Sequence, residues 1–149
     1  MRFRPAALPF VTAALLAAAL VAGCGSGIAL DEPIEGPVWR LDQLGGEPVA
    51  AGNDPRRAPQ VVFNRSSGRV SGSGGCNQLS GTFERSGSTL KLSQLASTRM
   101  ACTDPALGNK EQQFFAALQA TASYRLQSPT RLALLDSSGR TVATLSTAR

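Results

Sequence analysis

The chain has 149 residues, a formal net charge of +5 and no histidine. It therefore lacks the commonest general base and the commonest metal-binding side chain. Its basic residues are scattered, with no run longer than Arg56-Arg57, which excludes a nucleic-acid footprint and gives no support for attraction to an anionic membrane surface.

Arg2 and Arg4 precede an apolar stretch from Ala6 to Leu20, which Val21-Ala22-Gly23-Cys24 closes. A positive end, a greasy middle and small residues at the cut are the order of a secretory signal. The stretch is interrupted by Pro9 and falls short of the roughly 20 apolar residues that span a bilayer. A cysteine directly after Leu20-Val21-Ala22-Gly23 resembles the lipobox of bacterial lipoproteins. That resemblance implies a diacylglycerol on Cys24, cleavage before it and an acylated amino end. Two or three acyl chains anchor firmly where one binds only marginally. The expected place is the cell envelope, with the membrane as partner through the lipid. Gly25 stands where inner-membrane retention is associated with aspartate. The periplasmic face of the outer membrane is therefore expected in a host that has one, and the cell surface otherwise.

Removing the signal, residues 1–23, leaves 126 residues, enough for one domain with a core. Arg2 and Arg4 leave with it, so thirteen basic residues face ten acids for a net of +3. Residues 24–37, Cys24 followed by GSGIALDEPIEGP, read as a flexible tether rich in Gly, Pro and acids with no sustained period. The domain is then expected over 38–149.

Trp39 and Leu41 alternate with Arg40 and Asp42 in a half-buried strand over 38–44. Pro48, Pro55 and Pro59 bar a long helix from the loop that follows. Strands are expected at 60–64, 69–73, 80–84 and 88–93, the last two forming a hairpin around Arg85-Ser86-Gly87. A helix covers 110–121, capped by Asp104-Pro105 or by Asn109. Phe114, Phe115, Leu118 and Ala122 make its apolar stripe, which reads as core packing against a sheet. Strands at 123–127, 131–135 and 141–145 end the chain. Strands on both sides of one helix give an α+β class with a mainly antiparallel sheet.

Once Cys24 carries lipid, Cys76 and Cys102 remain, and an even pair in an exported domain points to a disulfide. Two buried free thiols are the structural alternative. A zinc site is the weaker one, since two cysteines without histidine make half a shell.

The densest region holds Gly75-Cys76-Asn77, Ser80-Gly81 and Phe83, then Thr98, Met100 and Cys102 in a T-x-M-x-C block, then Glu111 at the start of the helix. With the early Trp39 and Leu41 and the closing Leu132 and Leu134, this pattern resembles the META domain (HslJ-like) family over roughly residues 38–146. The resemblance implies a curved antiparallel sheet, like a partly open barrel, with one helix packed against it. It also implies an envelope or secreted location associated with stress tolerance. It supplies no reaction, catalytic residue or cofactor.

Read from chemistry alone, the same residues are structural. Gly72, Gly74 and Gly75 permit turns or bulges, and Asn77 suits a turn. Thr98, Met100 and Cys102 alternate as one face of a short strand would. The glycine-rich stretch is not a P-loop, since no G-K-[ST] follows. Ser88-Thr89-Leu90-Lys91 fits the S-x-x-K motif of penicillin-recognising enzymes. That motif needs a helix, and alternating Leu90 and Leu92 mark a strand, which sends Ser88 and Lys91 to opposite faces. The expectation is a non-enzymatic envelope lipoprotein with no cofactor and no metal. Two rivals stand beside it. A carrier of small apolar ligands would have a cavity lined by Phe114, Phe115 and Leu118. A docking partner or inhibitor of an envelope protein would expose an apolar patch.

Overall fold

The computed structural model describes residues 33–50, 54 and 57–147. The expected signal and lipidation site, and the tether up to residue 32, lie outside the described residues. The fold is α+β: the described residues form nine strands and one helix, with every strand pairing antiparallel.

Strand β1 (Val38–Leu44) puts Trp39 and Leu41 inward. A register shift between Leu41 and Gln43 resets the alternation, so Leu44 is buried too. β2 (Glu47–Pro48) is a two-residue flank on β1. β3 (Gln60–Asn64) and β4 (Arg69–Ser73) bury Val61, Phe63 and Val70. β5 (Gln78–Ser86) and β6 (Thr89–Ser97) form a hairpin longer than the sequence suggests at both open ends. Its register slips opposite Gln94, a non-glycine residue at φ 52°. β7 (Ser123–Ser128), β8 (Arg131–Leu135) and β9 (Thr141–Ser146) close the chain, and Leu132, Leu134 and Leu145 are fully buried.

The order β1-β3-β4-β5-β6-β7-β8-β9 returns to β1 through the β1–β9 pairing, which makes a ring. The seam is β6–β7, where Thr89 opposite Ser123 is the single register pair. The expected partly open barrel is therefore what forms.

Helix α1 (Pro105–Ala120) starts earlier than its apolar stripe suggests. Asp104 is the cap, its side chain accepting from the Ala106 amide at 2.9 Å, with Pro105 just inside. Phe114, Ala117 and Leu118 face the sheet, and the helix packs against β1, β6, β8 and β9. Phe115, expected in the same stripe, is only half-buried, because the three- and four-residue step from Phe114 leads to Ala117 and Leu118 instead. Among the described residues no helix is long and apolar enough to cross a membrane.

Two sequence expectations need correction. The tether does not run to Pro37. Ile34 is fully buried, its carbonyl accepts from Trp39 Nε1 at 2.7 Å, and the Gly36 amide donates to the Phe63 carbonyl. Five residues assigned to the tether thus begin the domain, because an apolar side chain and a buried indole N–H need partners that lie across the barrel mouth. Residues 98–102 are not a strand either, since β6 ends at Ser97. The Thr98 amide still donates to the Gln78 carbonyl of β5, but beyond it the Met100 backbone turns to the Asn77 side chain instead of a neighbouring strand.

Following the registers around the ring, one end collects residues 33–37 and the connections 65–68, 87–88 and 129–130. The opposite end holds residues 74–77, 98–104 and 136–140 together with α1.

Candidate functional site

At the helix end of the ring the Gly75-Cys76-Asn77 turn, the Thr98–Cys102 segment and Glu111 meet around Asn77. This side chain is 6% exposed. Its Oδ1 accepts from the Met100 amide at 2.7 Å and from Thr98 Oγ1 at 2.9 Å. Its Nδ2 donates to Glu111 Oε1 at 2.6 Å and to the Met100 carbonyl at 3.4 Å. Glu111 Oε2 accepts from the backbone amides of Cys76 at 3.0 Å and Asn77 at 2.6 Å. Thr98 adds a second link, its Oγ1 accepting from the Gln78 amide at 3.1 Å.

Local chemistry explains the approach. Glu111 projects from α1 over the turn that leaves β4, and a Cβ at Gly74 would collide with the Glu111 side chain. Gly75 sits at φ +113°, and a Cβ there would lie 2.8 Å from Leu107 Cδ1. Only glycine fits both positions. Ser73 Oγ accepts from the Gly75 amide at 3.0 Å, a partner that the sequence does not announce. Cys76 and Cys102 are joined in a disulfide that ties this turn to the segment entering α1. Met100 contributes only its backbone to the cluster, and its side chain is 59% exposed.

The motif residues do not all gather here. Trp39 and Leu41 lie in the core of the barrel. Gly81 sits across from the β6 bulge, where a Cβ would come 2.9 Å from the Ser93 carbonyl. Ser88 is in the hairpin turn and Lys91 is exposed on β6 between buried Leu90 and Leu92, so the S-x-x-K match carries no helical geometry.

Cys76, Cys102 and Glu111 bring three ligand-type atoms within 4.8 Å. The two sulfurs are bonded to each other, and the carboxylate takes three N–H donors. This arrangement is a clamp between turn, loop and helix rather than an open coordination shell.

At the other end lies a cluster that the sequence does not reveal. Arg85 Nε donates to Glu35 Oε1 at 3.0 Å and Nη1 to Tyr124 Oη at 2.8 Å, with the guanidinium 5.9 Å from the tyrosine ring centre. The two charged side chains are 7% and 8% exposed. Burial opposes the charge on Arg85, but hydrogen bonds to Glu35 and Tyr124 outweigh it and raise its pKa. No spacing rule links Glu35, ahead of β1, to Arg85 near the end of β5.

An open groove of about 500 Å³ runs between α1 and the β1/β9 edge, with Leu44, Ala117 and Val142 on its floor and Gln113, Asp136 and Arg140 on its walls. Asp136 accepts from Ser138 and Arg140, Ser138 Oγ being the nearest donor at 2.6 Å. Those bonds, the Ser138 side chain's foremost, lower its pKa to about 2.

The META domain model matches residues 32–149. The chain belongs to the META domain family. The start of the match agrees with the burial of Ile34 rather than with a domain beginning at Val38. Among solved structures, this META domain is similar to a protein from Burkholderia xenovorans determined by NMR, at 26% identity and a TM-score of 0.61. That alignment covers 80% of this chain and 87% of the other. A second NMR structure matches at 26% identity and a TM-score of 0.60, covering 78% of this chain and 93% of the other. A DUF4847 family protein from Bacteroides vulgatus shares the fold at 17% identity, with a TM-score of 0.57 over 78% of this chain and 95% of the other. No curated protein matches the chain.

Proposed function

We propose that this protein is a lipid-anchored envelope protein whose META domain acts without catalysis, as a binding and structural unit in envelope stress tolerance. One observation carries the non-enzymatic reading: the polar groups of the family motif are spent on each other. Both ends of the Asn77 amide and both oxygens of Glu111 are engaged, and both motif thiols are in the disulfide. A nucleophile or general base needs a polar atom turned toward substrate, and this cluster turns its atoms inward. The lipid anchor rests on the lipobox at Cys24.

Of the two binding modes, docking is better supported than carriage of an apolar ligand. Phe114 and Leu118, which would line a carrier's cavity, are fully buried in the packed core. The groove beside α1 is open to the surface.

Mass spectrometry of the mature protein from cells tests the anchor, with an acylated Cys24 at the amino end as the expected result. A mature end elsewhere, or an unmodified Cys24, overturns it. Broad serine- and cysteine-reactive probes test the non-enzymatic reading on the purified protein. Stoichiometric labelling of one residue in the native fold overturns that part.

A further inference from the structure

We infer that the barrel end opposite α1 is a docking surface for anionic phospholipid headgroups. It would seat the domain against the membrane that its lipid enters. The inference deepens the lipid-anchored reading and rests on it for the presence of a membrane.

Arginines that are scattered in sequence are gathered by the fold. The end is built from residues 33–37 and from the connections β3–β4, β5–β6 and β7–β8 with their flanking residues. Those segments carry five charged residues among the described ones: Glu35, Arg65, Arg69, Arg85 and Arg131. Glu35 and Arg85 are buried against each other. The three that remain exposed are all arginines, Arg65 and Arg69 on one side of the mouth and Arg131 across it. Arg125, exposed on β7 and outside those connections, adds a further cation beside this end. Glu84, an exposed acid on β5 level with the β3–β4 turn, belongs to this end as well and stands opposite the exposed Lys91 in the register, which offsets its charge. The opposite end is mixed, with Asp104 and Asp136 beside Arg99 and Arg140. Cations stand at both ends, the opposite one also holding Arg57 and Lys110; among the described residues it is the acids that are polarised, most of them lying at the opposite end, which leaves this end net positive.

Chain entry is the second observation. The described chain joins the domain at this same end, where Ile34 and the Glu35–Arg85 pair pin it. Only the eight residues 25–32 then separate the domain from Cys24. Fully extended, they reach roughly 30 Å. An anchor that short keeps the arginine end near the bilayer, where the anionic surface attracts each exposed cation within about a Debye length.

The test uses the mature chain from residue 24 with Cys24→Ser, so that binding reports the domain and not the lipid. Vesicles of phosphatidylcholine with about one third phosphatidylglycerol should sediment it, vesicles of phosphatidylcholine alone should not, and added salt should release it. The triple variant Arg65→Ser, Arg69→Ser, Arg131→Ser should lose roughly a hundredfold in partitioning, about fivefold per arginine. Circular dichroism checks that it stays folded. The double variant Arg57→Ser, Arg99→Ser, away from this end, should bind within twofold of the parent. Equal binding to neutral vesicles, an unaffected triple variant, or an equal loss in the double variant overturns the inference. Failure of Cys24 acylation in cells would instead strike the anchor, and it is read by mass spectrometry independently of the vesicle result.

Discussion

Glu111 grips Asn77 at both ends of the residue, Oε2 taking the backbone amide and Oε1 the side-chain amide, each at 2.6 Å. One carboxylate from the helix thus fixes the turn into β5, and through Asn77 it fixes the loop at Thr98 and Met100.

Removing that carboxylate should be costly. Glu111→Ala leaves the Cys76 and Asn77 amides without their acceptor and should lower stability by about 2–4 kcal/mol. Glu111→Gln keeps one acceptor oxygen without the charge and should cost roughly 1–2 kcal/mol. Urea unfolding followed by far-UV circular dichroism measures both. Equal and negligible losses would mean that the cluster does not stabilise the fold.

Reducing the disulfide should weaken the same corner. The Cys76–Cys102 bridge has a sequence separation of 26, for which the chain-entropy model gives roughly 3–4 kcal/mol. Thiol labelling of the unfolded protein should modify neither cysteine until reductant is added, and the reduced protein should unfold at lower urea. Labelling of both without reductant would show that the bond is not there.

The buried pair at the far end should behave asymmetrically. Arg85→Met strands Glu35, whose Oε2 is already buried without a partner, and should cost about 3–5 kcal/mol. Adding Glu35→Leu removes the stranded charge and should recover most of that loss, because a buried pair gains little over apolar residues of like size. Thermal unfolding of the single and double variants decides it. A double variant no more stable than Arg85→Met would refute this account.

Acid should loosen the β8–β9 turn late. Asp136 has a folded pKa of about 2 against an ordinary 3.8. A lowered pKa means that the carboxylate's contribution is complete above the unfolded value, near pH 4, and is lost as pH falls through about 2. Carboxyl-carbon NMR should place its midpoint near 2, and Asp136→Asn should abolish this part of the pH dependence. A midpoint near 4 would show that the Ser138 and Arg140 bonds do not form in solution.

Local pattern determined much of this protein. Alternation over 38–44, 60–64 and 69–73 marked strands with the bounds that form, because period-two burial is written into neighbouring residues, and the short apolar run at 131–135 marked another, buried at four consecutive positions. The three- and four-residue stripe marked α1, and Asp104-Pro105 was one of its two candidate caps. The Cys76–Cys102 pairing and the structural character of Gly75 and Asn77 were legible from residue chemistry and the family pattern.

Tertiary structure alone decided the rest. Phe115 fits the stripe by spacing, yet only the position of the sheet shows that Ala117 is the inward residue. Thr98, Met100 and Cys102 alternate as a strand would, but strand pairing stops at the Thr98–Gln78 bond, and Asn77 claims the Met100 backbone instead. Pro33-Ile34-Glu35 looked like spacer until the barrel mouth supplied a core for Ile34 and Arg85 for Glu35. In each case the deciding partner is distant in sequence, 23 residues for Met100 and Asn77 and 50 for Glu35 and Arg85. Local periodicity reports which face of an element is apolar. Closure of the chain decides what that face, or a lone charge, finally meets.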